Sequence, residues 1–172
     1  MNNRRILITG PESTGKTELA RSLAGHFGGT WIPEYARGYI ASLGRRYTLE
    51  DVLHVASEQM KQWEGSSATE GMIFFDTWLI ITRVWLEVAF GVTEPWIDAA
   101  IKESKFDHVL LCYPDLPWEP DPLREHGGEM RFRLYERYRE ILEASGYSCN
   151  IIRGSGSIRT EAAIGCLEKY KE

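Results

Sequence analysis

The 172-residue chain has only three cysteines, Cys112, Cys149 and Cys166, and none forms a C-x-x-C pair. Their number and spacing therefore argue against a disulfide framework and against a structural zinc site. No apolar run is long enough to cross a bilayer, and the N-terminus does not have the pattern of an export signal. We expect a cytoplasmic protein without a membrane partner.

Excess positive charge is also absent, because 20 Lys and Arg stand against 25 Asp and Glu, a net charge of −5. Net charge therefore does not support a nucleic-acid partner, and a small molecule is the expected one. Hydrophobic residues make up 43% of the chain, as in ordinary globular proteins. Without repeats or linkers, the sequence predicts a single domain over residues 1–172 and leaves the oligomeric state open.

The most informative segment is GPESTGKT, residues 10–17, which follows the apolar residues 6–8. It matches G-x-x-x-x-G-K-[ST], in which backbone N–H groups surround a phosphate, the lysine reaches the β- and γ-phosphates, and the hydroxyl binds Mg²⁺. A strand before the segment and helically spaced apolar residues after it disfavour the alternative, a simple turn of small residues. The next residue, Glu18, is not assigned to the site. The sequence predicts that ATP binds to the eight residues of this phosphate loop: Gly10, Pro11, Glu12, Ser13, Thr14, Gly15, Lys16 and Thr17.

Strands and helices alternate about five times along the rest of the chain, which predicts a parallel sheet with helices on both faces. Strands are expected at Thr30–Ile32, GMIFFDT, HVLLCYPD and residues 147–152. Expected helices include one that starts at a capping box of Thr48 and Asp51, the apolar segment WLIITRVWLEVAF, and residues 129–143. Ligands of such sheets bind beyond the carboxyl ends of the strands, so residues after each strand are the candidates.

Two acids follow predicted strands. Asp76 ends FFD, and beside a phosphate loop this carboxylate is a candidate Mg²⁺ ligand together with Thr17; a helix N-cap is the compatible alternative. Glu34 lies in PEYAR, where it could take the proton from an attacking hydroxyl, with Tyr35 and Arg37 as substrate contacts. The alternative for Glu34 and Arg37 is a surface ion pair at i, i+3.

The segment CYPDLPWEPDPLREHGG contains four prolines and is predicted to be a stiff loop after the fourth strand. An aromatic face with carboxylates beside it, here Trp118 with Asp115, Glu119 and Asp121, suits a planar cationic ring such as pyridinium. The alternative is a structural loop in which Trp118 is a packing anchor.

The same loop leads into a lid predicted at about residues 118–133, with the two glycines of HGG as its hinge. On the following helix Arg131 falls on the apolar face and needs an anion, so Arg124 and Arg131 are candidates to stabilise the transferred phosphate. Three other arginines, Arg133, Arg137 and Arg139, are expected to be solvated. The segment RGSGSIR is either an adenine contact or a glycine turn with Ser157 as a helix N-cap, and we favour the turn.

Taken together, GPESTGKTELARSLA, PEYAR, FFDT, VWLEVAFG, LLCYPDLPWEPDPLRE and RGSGSIR resemble the ribosylnicotinamide kinase domain of NadR-like NAD-biosynthesis proteins. The resemblance implies a three-layer α/β/α P-loop fold with a central five-stranded parallel sheet and a helical lid. It implies ATP and Mg²⁺ as cosubstrates and phosphorylation of the 5′-hydroxyl of nicotinamide riboside to nicotinamide mononucleotide. By the same motifs, residues 10–17 would hold ATP, Asp76 the metal, and Glu34 with residues 115–124 the nucleoside and reaction centre.

The chain departs from that family in two places. None of its four histidines lies in the H-x-G-H motif of the family's adenylyltransferase domain, so adenylylation is not predicted. The residue after FFDT is Trp78, where the family is expected to have an acid. Three alternatives to the riboside kinase therefore stay open: a kinase of another nucleoside or nucleotide, a simple ATPase, and a non-catalytic ATP-binding regulator.

Overall fold

The computed structural model describes residues 3–169, whose centre is a five-stranded parallel sheet. The strands are β1 (Arg4–Thr9), β2 (Thr30–Ile32), β3 (Met72–Asp76), β4 (His108–Cys112) and β5 (Cys149–Ile152). Neighbouring strands pair in the order β2-β3-β1-β4-β5, so the strand that leads into the phosphate loop lies in the middle. This confirms the predicted five-stranded parallel sheet.

Seven α-helices cover the two faces of the sheet within the described range. The helices are α1 (Lys16–Phe27), α2 (Tyr35–Ser42), α3 (Leu49–Gly65), α4 (Leu79–Phe90), α5 (Pro95–Glu103), α6 (Glu129–Ala144) and α7 (Gly156–Glu168), and a 3₁₀ turn spans Ser66–Ala68. Successive side chains of a strand point to opposite faces. Leu7 accordingly packs in the larger core cluster with side chains of α3 to α6, while Ile6 and Ile8 pack with those of α1 and α7.

The predicted capping box at the start of α3 is present. The Asp51 carboxylate accepts a hydrogen bond from the Thr48 N–H at 2.7 Å, and the Thr48 hydroxyl accepts one from the Asp51 N–H at 3.4 Å. Arg45 also donates to both Asp51 oxygens, and these bonds hold the pKa of Asp51 well below its usual range. The box fixes the end of the α2–α3 connection, which forms one wall of the cavity described below.

Three features differ from the expectations. Helix α5, which begins with Pro95 in its first turn, was not predicted. Helix α7 begins at Gly156, so Ser155 and not Ser157 is at its N-cap position, because the left-handed backbone of Gly154 turns the chain earlier. Arg137 is not simply solvated, since its guanidinium donates to Glu87 on α4 at 2.8 and 2.9 Å. Within residues 3–169, no helix is long and apolar enough to cross a membrane.

Candidate active site

The phosphate loop connects β1 to α1 and has the strand–loop–helix context that its motif requires. Gly10 has φ +139°, and a Cβ there would lie 2.7 Å from the Cys112 carbonyl oxygen, so only glycine fits. Gly15, with φ +72°, is the N-cap of α1 and directs the helix N-terminus into the loop. The Lys16 ammonium donates to the Pro11 carbonyl at 2.7 Å. The loop therefore places the N-terminus of a helix beside a lysine, as an anion site does.

The predicted metal-binding pair lies at the end of β3 and the start of α1. Asp76 is 1% exposed, and both of its carboxylate oxygens are buried without a well-formed hydrogen bond from residues 3–169. Burial raises its pKa, and the nearby Thr17 hydroxyl and Lys16 ammonium oppose that rise. A carboxylate and a hydroxyl fit Mg²⁺, whose other ligands would be water and phosphate oxygens. When bound there, the ion would neutralise charge on the transferring phosphate.

Glu18 follows Thr17 in the first turn of α1, and its side chain is exposed. It is one of the residues that line the cavity described below. A carboxylate near the N-terminus of a helix interacts favourably with the helix dipole, whatever else it does. The residue therefore needs no part in the site, and it stays without an assigned role.

Glu34 lies between β2 and α2, at the N-cap position of α2, and lines both of the cavities described here. Burial raises its pKa, with opposition from Lys16 and reinforcement from the Asp76 carboxylate. A carboxyl whose pKa is raised is a better proton acceptor at neutral pH than an ordinary glutamate, because its conjugate base is stronger. The position fits the predicted base, and that role stays a prediction.

Arg37, one helical turn after Glu34, forms an ion pair with Asp121 of the lid. The alternative considered from the sequence, an i, i+3 pair with Glu34, is not the pair that forms among the described residues. The Leu123 N–H and then Arg37 lower the pKa of Asp121. Two residues that were predicted to contact substrate separately thus hold each other, and they join α2 to the lid.

A cavity of about 700 Å³ runs from the phosphate loop past Glu34 to an aromatic pocket. Tyr47, from the α2–α3 connection, and Trp85, from α4, form the pocket with ring centroids 4.7 Å apart at 73°. The Tyr47 hydroxyl donates to the Glu125 carboxylate of the lid at 2.7 Å. Apolar side chains complete this end of the cavity: Ile40, Ile81, Val84, Val88, Leu134 and Tyr138. We call this end the acceptor pocket.

Trp118 is not among the residues that line the cavity. Its ring packs over Gly127, where a Cβ would lie 3.2 Å from it, and the Arg131 guanidinium carbon lies 5.7 Å from its centroid. This geometry corrects the predicted ring-stacking role and supports the alternative of a packing anchor within the lid. Of the acids predicted beside it, Glu119 lines the cavity and Asp115 does not.

Asp115 instead accepts hydrogen bonds from the Arg159 guanidinium and the Gly154 N–H, both at 2.8 Å. Burial would raise its pKa, but these bonds outweigh burial and lower it. Arg159, which is 4% exposed, also donates to the carbonyls of Thr14 and Tyr113 at 2.9 Å. Asp115 thus holds Arg159 in place, and Arg159 anchors the phosphate loop through the Thr14 carbonyl. Sequence reasoning gave Arg159 no role, although it ends the RGSGSIR segment.

The two lid arginines differ in their surroundings. Arg131 is 5% exposed, as the helical spacing predicted, and donates to the carbonyls of Ser13 at 2.8 Å and Leu116 at 3.0 Å. Arg124 lines the cavity and donates to the Glu119 carbonyl of its own loop. The structure thus brings both beside the phosphate loop, and their contact with a phosphate stays a prediction.

Trp78 lies in the core and does not line either cavity. It is 1% exposed, its ring centroid is 5.0 Å from that of Phe106, and its Nε1 donates to the Gln59 carbonyl at 3.2 Å. The tryptophan therefore does not block the acceptor pocket.

A second cavity of about 620 Å³ adjoins the first along Thr17, Glu34 and Arg37, and Asp76 lines it. Arg21 lies on this side too, with its guanidinium carbon 4.3 Å from the centroid of the Trp31 ring. The candidate base Glu34 thus lines both cavities, whereas the candidate metal ligand Asp76 lines only the second.

Residues 5–159 match the AAA domain family. The chain belongs to this family. It is 30% identical to the trifunctional NAD biosynthesis/regulator protein NadR of Escherichia coli K12, over 98% of this chain and 42% of that protein. The Salmonella typhimurium protein of the same name is 29% identical over 77% of this chain and 34% of that protein. The chain thus spans less than half the length of the curated relatives that it matches.

Solved structures with the same fold include two of NadR. One, in complex with NR, is 25% identical with a TM-score of 0.82 over 98% of this chain and 51% of that one. The other, with NAD and AMP-PNP, is 24% identical with a TM-score of 0.79 over 98% and 49%. Deoxyadenosine kinase from M. mycoides is 16% identical with a TM-score of 0.68 over 96% and 99%. The predicted P-loop kinase fold is therefore confirmed.

Proposed function

We propose that the chain is an ATP-dependent kinase that phosphorylates the 5′-hydroxyl of nicotinamide riboside to give nicotinamide mononucleotide. The observation that carries this proposal is one cavity with a phosphate loop at one end, Glu34 beside it, and an aromatic pocket with a carboxylate at the other end. The NadR structure solved with NR supports the choice of acceptor. The NadR structure solved with NAD and AMP-PNP supports ATP as the phosphate donor.

In the proposed reaction the phosphate loop holds the β- and γ-phosphates of ATP, and Lys16 leaves the Pro11 carbonyl to donate to them. The 5′-hydroxyl oxygen of the nucleoside bonds to the γ-phosphorus, and Glu34 accepts the proton that this hydroxyl loses. The bond from that phosphorus to the β–γ bridging oxygen breaks, and ADP leaves. Phosphoryl transfer needs mainly positioning and charge stabilisation, which the loop and the neighbouring arginines supply.

The acceptor pocket suits a pyridinium ring. Tyr47 and Trp85 line the pocket as an edge-to-face pair whose π-systems can attract a cation, and the Glu125 carboxylate adds a full negative charge. The sequence-based argument for a cationic ring thus transfers from Trp118 to these residues.

A kinase of another nucleoside is the second candidate, and Trp78 favours it. Trp78 lies in the core and cannot contact a ribose hydroxyl, as the acid expected at this position in the family would. Any such contact in this chain has to be made by another residue. The sugar or the ring accepted by the pocket would then differ, while the phosphate chemistry stays the same.

The test is to incubate the purified protein with Mg·ATP and a panel of nucleosides, including nicotinamide riboside, and to follow ADP and phosphorylated product together. Lys16→Ala prepared in parallel excludes a contaminating kinase. Phosphorylation of nicotinamide riboside in preference to the others supports the proposal. Preference for another nucleoside supports the second candidate, and ADP without phosphorylated product overturns both in favour of an ATPase or a switch.

A further inference from the structure

The phosphate loop is bonded to the lid through an unexpected residue, Glu12. Its Oε2 accepts hydrogen bonds from the backbone N–H of Glu125 at 3.1 Å and of His126 at 2.9 Å. Ser13 adds a second link, because its hydroxyl donates to the Pro117 carbonyl and accepts from the Glu119 N–H. Two consecutive loop residues therefore hold the lid over the cavity.

A carboxylate in a phosphate loop needs an explanation. The loop is built to attract anions, and a negative side chain within it repels the triphosphate that it should bind. That repulsion is reduced when the carboxylate is occupied by donors from elsewhere, as Glu12 is by two backbone N–H groups. The Glu12 side chain is thus better suited to holding the lid than to contacting ATP.

The lid residue at this contact also reaches the other end of the cavity. The Glu125 side chain accepts from Tyr47 in the acceptor pocket, while the Glu125 N–H donates to Glu12 in the phosphate loop. Arg37 and Asp121 form a third link, between the lid and the helix that follows Glu34. One lid residue thus touches the binding regions of both proposed substrates.

We propose that Glu12 is a positioning residue that latches the lid, and that Glu125 couples this latch to the acceptor pocket through Tyr47. A nucleoside that packs against Tyr47 holds the Tyr47 hydroxyl toward the Glu125 carboxylate, and this hydrogen bond stabilises the closed lid. With the lid closed, the phosphate is transferred to the acceptor hydroxyl and not to water. The coupling to the acceptor rests on the proposed function, whereas the latch itself does not.

Hydrogen exchange of the Glu125 and His126 amides tests the latch without any reaction. Glu12→Ala removes the acceptor atom, and Glu12→Gln keeps an amide oxygen in its place. We expect exchange at these two amides to be at least about fivefold faster in Glu12→Ala than in the parent, with Glu12→Gln within about twofold of it. Unchanged exchange in Glu12→Ala would overturn the latch.

Turnover with Mg·ATP and the nucleoside tests the coupling. Glu12→Ala and Tyr47→Phe should each raise the ADP formed per phosphorylated nucleoside at least about threefold, and Glu12→Gln should restore the parent ratio. Equal impairment by Glu12→Ala and Glu12→Gln would mean that the charge matters and not the acceptor atom, which contradicts the latch. A ratio unchanged in Tyr47→Phe overturns the coupling. If the parent phosphorylates no nucleoside, the proposed function and the coupling fail, while the exchange result still decides the latch.

Discussion

The two ends of the cavity are built in different ways. At the phosphate end, the six consecutive residues 12–17 line the cavity, and Gly10 and Gly15 fix the bends of their loop. At the acceptor pocket, side chains from five segments converge: α2, the α2–α3 connection, α4, the lid and α6. The phosphate end therefore depends on local conformation, and the acceptor pocket depends on how the whole fold packs.

The largest effect should come from the phosphate end. Lys16→Ala removes the only side-chain cation that the motif provides for the β- and γ-phosphates, so we expect kcat for phosphate transfer to fall by about 10³-fold. A coupled ADP assay measures this, and the thermal transition of the variant shows whether it is folded. Activity within tenfold of the parent would mean that Lys16 does not contact the phosphates.

Glu34 lies between the two ends of the cavity. Glu34→Gln should lower kcat by about 10²-fold with little change in ATP affinity. Because burial raises the pKa of Glu34, the acidic limb of the kcat–pH profile should lie above the range of an ordinary glutamate, with activity rising as the carboxyl loses its proton. The variant should lack that limb. If it keeps both the limb and the parent kcat, another group accepts the proton.

The acceptor pocket should respond to the substitution of one tryptophan and not another. Trp85→Ala removes a ring face from the cavity wall, and we expect KM for the riboside to rise by about 30-fold, equivalent to about 2 kcal/mol. Trp118→Ala is the matched control, since its ring packs within the lid, and KM should change by less than about threefold. A larger increase in KM for Trp118→Ala than for Trp85→Ala would mean that the ring of the riboside stacks on Trp118.

Trp78→Phe should have the smallest kinetic effect. It tests whether position 78 contributes only to the stability of the core or also to acceptor binding. Loss of packing against Phe106 should lower the free energy of unfolding by about 2 kcal/mol. The KM for the riboside should stay within about twofold. Denaturant unfolding and steady-state kinetics measure the two quantities, and a changed KM with unchanged stability would show that position 78 contributes to acceptor binding.

The contrast between the ends also explains what the sequence could predict. The phosphate loop, the parallel sheet and the burial of Arg131 follow from local patterns, namely a motif, alternating strands and helices, and a 3.6-residue period. Trp85 lies on a helix that is apolar nearly all round, so its pattern does not tell which side faces a cavity. Tyr47 lies in a connection, whose path depends on tertiary contacts.

Trp118 illustrates the same limit from the other side. An aromatic residue among acids has the chemistry of a ring site, but the path of a proline-rich loop decides whether that ring faces the cavity or its own lid. Asp115 likewise has a partner, Arg159, that lies 44 residues away in sequence. Local patterns give the chemistry of a side chain, but the direction in which that side chain points depends on the tertiary path of its loop.

The close approach of Gly10 to the Cys112 carbonyl bears on how such a protein can evolve. A methyl group at position 10 would lie 2.7 Å from that oxygen, so any replacement separates β1 from β4 and displaces the loop that follows. Each wall of the acceptor pocket, in contrast, can be altered one side chain at a time without moving a strand. Natural variation should therefore accumulate around the acceptor pocket, and a lineage can change that pocket while the conformation of the phosphate loop is inherited intact.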